Sequence, residues 1–185
     1  MRDWGQDLLR ACIGKRLERI ARVLDARGDS AGESGPLELT FEGGRVVHLT
    51  RDPRSEFLSV REGPWEDRAD DRRVRIDVSD RPGYAEVLND HVFLGEGAVT
   101  AIPEPMLAEG AQPPAAHKAM GAASLFGSTW LVNPEGCVAG VELPFFGATI
   151  TFAIREGGEY VVFGRAGALP REWGLRRWPD MTMEA

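Results

Sequence analysis

The chain has 185 residues, 43% of them hydrophobic, with a formal net charge of −7 and a pI near 5.1. That apolar content excludes wholesale disorder, and no stretch of 18 apolar residues offers a membrane span. The acidic balance disfavours nucleic-acid binding, which needs clustered positive charge on one face. No nucleic-acid or membrane partner is therefore expected.

Of 22 basic residues, 20 are Arg and only Lys15 and Lys118 are Lys. With abundant Ala and Gly, this bias points to a high-GC genome of actinobacterial type. The N-terminus, Met1 to Asp7, lacks an apolar core and cleavage site, so a cytoplasmic location is expected. Cys12 and Cys137 are read as reduced, buried thiols, consistent with that compartment.

In chain order, Leu8, Leu9, Cys12 and Ile13 lie on one helical face, so Asp7–Ala21 begins as a helix that Gly14 can end. Leu17, Ile20, Val23 and Leu24 then lead into a strand or prolong the helix; periodicity does not choose. Arg27–Pro36 has loop composition. Leu37, Leu39 and Phe41 alternate with Glu38, Thr40 and Glu42, which predicts a strand with one apolar and one wet face. Glu42–Arg45 is a glycine-based hairpin turn. Val46–Thr50 and Glu56–Arg61 complete an antiparallel meander.

Glu66–Arg81 is highly charged, yet Val74, Ile76 and Val78 alternate and predict a strand. A short helix over Tyr84–Asn89 and a strand or hairpin over Val92–Ile102 follow, then a Pro-rich linker over residues 103–114. The second half starts with a predicted helix over Ala115–Phe126. Strands follow over Trp130–Val132, Val138–Phe145, Thr149–Ile154 and Tyr160–Phe163. The stretch Pro170–Trp178 is read as irregular, its tryptophans packing back on the body.

The second half echoes the first. Glu38–Gly63 aligns without a gap on Glu142–Gly167 at an offset of 104, with seven identities that include Arg51/Arg155, Arg61/Arg165 and Gly63/Gly167. The expected fold is α+β and mainly antiparallel. It comprises two similar three- to four-stranded meanders, each preceded by a helix, packed as a pseudo-twofold sandwich or partly open barrel. We divide this single domain into a first repeat (1–66), a connecting region (67–114), a second repeat (115–169) and a tail (170–185).

Catalytic signatures are lacking: there is no His-Glu-x-x-His, no phosphate loop ending in Gly-Lys-Ser/Thr and no Gly-x-Ser-x-Gly elbow. Gly95-Glu96-Gly97 lacks the third glycine of a dinucleotide loop. The histidines His48, His91 and His117 have no ligand spacing, so neither metal nor cofactor is expected. His48 aligns with Phe152, a core position. It is either a hydrogen-bonded core histidine or a polar group in a pocket between the meanders. Glu38 and Glu142 sit at equivalent positions. A pseudo-twofold could pair them for acid–base work, but alternation places them on a wet strand face. The charged run Glu66–Arg73 mixes signs as a solvated loop does. Trp65, Phe146, Trp173 and Trp178 lie beside turns or in the tail, where aromatics serve as interface anchors.

The unit Gly14…Leu37-Glu38-Leu39-Thr40-Phe41…Gly43-Gly44, repeated as Gly127…Val141-Glu142-Leu143-Pro144-Phe145…Gly147, resembles small bacterial families of unknown function. Some of these are classed as immunity proteins of toxin systems. The resemblance covers about half the chain and carries no catalytic residues. It implies a non-enzymatic protein-binding module, a monomer or homodimer, that masks a basic toxin. The binding residues would be His48, Trp65, Phe146, Trp173 and Trp178. The alternative is a small-molecule site between the meanders near His48 and Phe152.

Overall fold

The computed structural model describes residues 5–25, 34–55, 57–66, 73–81, 84–88, 124–145, 148–156, 158–164 and 169–178. The elements are α1 (Gln6–Arg10), β1 (Leu17–Asp25), β2 (Leu37–Phe41), β3 (Arg45–Arg51), β4 (Leu58–Glu62), β5 (Arg73–Asp77) and α2 (Tyr84–Leu88) in the first half. The second half holds β6 (Thr129–Val132), β7 (Val138–Pro144), β8 (Thr149–Arg155), β9 (Gly158–Gly164) and β10 (Arg176–Arg177). A 3-10 turn, Arg171–Trp173, precedes β10.

The strands form two antiparallel sheets, ordered β4-β3-β2-β1-β5 and β10-β6-β7-β8-β9. Both have one topology: a four-stranded meander, then a fifth strand that returns to the free side of the first. The fifth strands extend the expected three- to four-stranded units. The segment read as an irregular tail supplies one of them, because Arg176 and Arg177 pair with Val132 and Leu131.

The first predicted helix is shorter than its periodicity suggested. It stops at Arg10, and the chain after Gly14 is strand. Sheet pairing decides this. Leu17–Asp25 is flanked by β2 on one side and β5 on the other, and a ladder on both edges overrides a helical spacing of apolar residues. Of the helix expected over Ala115–Phe126, residues 115–123 lie outside the described residues. Ser124 is extended and bridges Arg16. The expected strand at Val92–Ile102 and the linker at 103–114 also lie outside them.

Alternation builds the core. Leu37, Leu39 and Phe41 on β2 face inward with Val47 and Leu49 on β3. Val141, Leu143, Ile150 and Phe152 do the same from β7 and β8. All belong to one buried cluster, joined by Leu9 of α1 and Val87 of α2. Each meander leaves one apolar face that water would penalise, and the two faces cover each other.

Register refines the repeat. Ala21 faces Glu38 and Val23 faces Arg75; Thr129 faces Glu142 and Leu131 faces Arg177. Glu38 and Glu142 are therefore true equivalents, as are Arg75 and Arg177. But Glu38 pairs with His48, whereas Glu142 pairs with Thr151. The twin of His48 is thus Thr151, not Phe152, since the hairpin of the second sheet is one residue shorter. Arg51 and Arg155 are not equivalent, and Arg165 and Gly167 lie outside the described residues. The gapless alignment holds on β2 and β7 and slips by one beyond them.

The halves also meet along their backbones. Arg16 bridges Ser124 antiparallel, Gly14 N–H donates to Leu125 O (2.8 Å), and Leu125 N–H donates to Lys15 O (3.1 Å). The spacing that relates Ala21 to Thr129 also relates Arg16 to Ser124, to within the residue that the bulge between Leu17 and Arg19 inserts.

Candidate functional site

The most ordered polar chemistry sits on the outward faces of the two sheets. Alternation correctly puts Glu38 and Glu142 opposite the core, but those faces are not wet. Glu38 is 5% exposed and Glu142 6%. Arg75 donates from Nε to Oε2 (2.7 Å) and from Nη2 to Oε1 (2.9 Å) of Glu38. Arg177 repeats this on Glu142 at 2.6 and 2.8 Å. An isolated buried carboxylate costs several kcal/mol, roughly, and a bidentate guanidinium offsets most of that. In return each carboxylate, above all by hydrogen bonding, raises the pKa of its arginine.

The clamps were legible only in part. Arg75 lies 37 residues after Glu38, and Arg177 lies 35 after Glu142. That near-equal spacing is the trace the clamps leave in the sequence. The two glutamates do not meet: each lies on the outside of its own sheet, with the shared core between them.

His48 and Trp65 come together around Glu38. His48 lies beside Glu38 on one side and Arg61 on the other. Its Nδ1 is 2.8 Å from Gly63 O, and since a carbonyl only accepts, Nδ1 carries the proton. Burial lowers the His48 pKa below its usual 6.5, and the Arg61 charge adds to this; the Gly63 carbonyl and Glu38 pull the other way. Trp65 N–H donates to Glu38 Oε1 (2.6 Å), and Trp65 O accepts from Arg75 Nη2 (2.8 Å). The Arg73 guanidinium lies 5.3 Å from the Trp65 ring centre.

The expected juxtaposition of His48 with Phe152 is not formed. His48 lies on the outer face of the first sheet, and Phe152 is in the core. The reason is the one-residue difference in hairpin length, which exchanges inward and outward positions.

On the second sheet, Trp173 packs against Tyr160 of β9, with ring centres 6.3 Å apart. The Arg155 guanidinium sits 5.4 Å from its ring. Gly158 makes room for this arrangement, because a Cβ there would lie 2.8 Å from the Tyr160 ring. Trp178 is exposed and donates its N–H to Trp130 O (2.8 Å). Phe146 lies outside the described residues.

A second polar cluster joins the sheets and was not anticipated. Glu159, on the inward face of β9, accepts from Thr50 Oγ1 (2.7 Å) and Arg51 N–H (2.5 Å). Its own N–H donates to Ser34 Oγ (2.8 Å). The buried Arg22 donates to Gly35 O, Glu159 O and Tyr84 Oη. Nothing in the local pattern of either half marks Glu159, since its partners lie 108 to 137 residues away.

Both cysteines are free thiols, and burial raises the Cys12 pKa. Among the described residues no group of three or more His, Cys, Asp or Glu side chains could hold a metal ion, and no helix is long and apolar enough to cross a membrane. The described residues contain sixteen basic and sixteen acidic residues, so the whole acidic excess falls on the remainder of the chain. The chain matches no known family model, no curated protein and no solved structure.

Proposed function

We propose that this chain is a non-enzymatic protein-binding module of the immunity-protein kind, which masks a basic partner. The observation that carries the proposal is the aromatic platform on the second sheet. Tyr160 is 40% exposed and backed by Trp173, which lies under Arg155. Tyr, Trp and Arg are the side chains that most often dominate binding energy, and here they are held in fixed positions before any partner arrives. The net charge of −7 is of the sign that steers a cationic partner toward the chain.

The test is co-expression with the product of the neighbouring reading frame. The pair should elute as one complex whose affinity falls with salt. The double substitution Tyr160→Ala with Trp173→Ala should weaken it at least about tenfold while far-UV circular dichroism is unchanged. Elution of the chain alone, with no protection of cells against the neighbour's toxicity, removes the proposal.

A further inference from the structure

Strand β9 reads Gly158-Glu159-Tyr160-Val161-Val162-Phe163-Gly164 and lies at the end of its sheet. In an antiparallel ladder, alternate residues aim both main-chain groups at the neighbouring strand or away from it. Glu159 aims away from β8: its N–H donates to Ser34 Oγ (2.8 Å) and its carbonyl accepts from Gly35 N–H (3.3 Å). Val161 and Phe163, two and four residues on, turn their N–H and C=O groups to the same side. Among the described residues nothing pairs with those groups. The open stretch runs from Tyr160 to Gly164, and Ser34 and Gly35 close it at one end.

The other sheet edges are protected. At β4, Gly5 packs on Val60 O, so closely that a Cβ on it would lie 2.5 Å away. Strand β5 carries Arg73, Arg75 and Asp77, and β10 is only Arg176 and Arg177. Covering, charge and shortness are how folded chains keep sheet edges from pairing. Strand β9 has none of these over residues 160–164. Its one charged residue, Glu159, is buried and already bonded to Thr50 and Arg51. Val, Tyr and Phe are also side chains that favour strand pairing.

We infer that β9 is a homodimerisation edge, on which β9 of a second copy pairs antiparallel about a twofold axis at Val162. The open stretch is its own complement. With Val162 on the axis, Val161 faces Phe163 of the second copy and Phe163 faces Val161 of the second copy, so every open N–H meets an open C=O. Tyr160, 40% exposed, faces Gly164 of the second copy, which has no side chain to collide with the ring. No charge lies within the stretch, so like charges do not meet. The two five-stranded sheets join into one, with both Tyr160–Trp173 pairs on the same face. So short an edge buries less than the roughly 1,200 Å² of a standard interface, and the dimer is weak, with a Kd on the order of 100 μM. This inference does not depend on the proposed function.

Sedimentation equilibrium from about 10 μM to about 1 mM should show a reversible monomer–dimer equilibrium. Val162→Lys and Val162→Glu each set like charges across the axis, and each alone should associate at least about tenfold more weakly. Mixed in equal amounts, the two variants should associate again. Val162 is half-buried on the outer face of an edge strand, so far-UV circular dichroism of both should match wild type. Cross-linking then reads the register, in a Cys137→Ser background. Val162→Cys should give disulfide-linked dimers on mild oxidation, because Cα atoms of the pair on the axis lie about 4.5 Å apart. Tyr160→Cys, at a more exposed position, should not, since its two copies lie roughly 14 Å apart along the strands. A wild type that stays monomeric at every concentration overturns the inference and leaves the edge to a strand of another protein. So does a mixture of the charge variants that stays monomeric, or cross-linking at Tyr160→Cys as fast as at Val162→Cys.

Discussion

A glutamate between two buried apolar residues on a strand must point away from them, but pointing away from a core is not the same as pointing into water. Glu38 and Glu142 show the difference. Period-2 alternation correctly gives their direction, and only the returning fifth strand gives their burial and their arginines. Both clamps share one geometry, so they should respond alike to loss of the guanidinium. Arg75→Met and Arg177→Met should each destabilise the protein by about 2–3 kcal/mol, since a buried carboxylate loses its charged donor. The arginines are 41% and 44% exposed, so water admitted at their sites keeps the cost below that of a fully buried pair. Urea denaturation checks this. A cost under about 0.5 kcal/mol at either site would mean the pair behaves as an ordinary surface ion pair.

Hairpins were the most legible elements, because glycine turns and alternating strands are local. Strand β3 was expected over Val46–Thr50 and observed over Arg45–Arg51, and β8 was expected over Thr149–Ile154 and observed over Thr149–Arg155. What local pattern did not give was register between the repeats, where one residue in a turn moved His48 from the expected core to the outer face. Close approach of strands also hides in the sequence. A Cβ at Gly140 on β7 would lie 2.6 Å from Phe152 O and 3.2 Å from Ala153 Cα on β8, both backbone atoms that cannot swing aside. Gly140→Ala should therefore destabilise by about 2 kcal/mol by forcing the strands apart, although alanine is the better residue for an ordinary strand. A thermal melt at or above the wild-type midpoint would contradict that account.

In the whole molecule, two sheets share one core and are tied by the bridge at Arg16 and Ser124 and by Glu159 on the end of β3. Neither sheet can keep its inner face dry alone, so the described body should unfold as a unit. Phe152→Ala, which empties a fully buried site, should cost about 3–5 kcal/mol. It should shift the unfolding curves followed by far-UV circular dichroism and by tryptophan fluorescence equally. Separate transitions for the two probes would show that the halves are independent.

The sequence by itself determined the hairpin strands of both meanders, their turns, the direction of Glu38 and Glu142 and the existence of a repeat. These follow from local rules: two-residue alternation, glycine at positive φ, and apolar content. The tertiary structure alone decided which strand closes each sheet, which arginine meets each glutamate, and that His48 lies on the outer face of the first sheet instead of between the two meanders. Those depend on contacts between residues tens to more than a hundred positions apart, and a single inserted residue in a turn is enough to change their outcome.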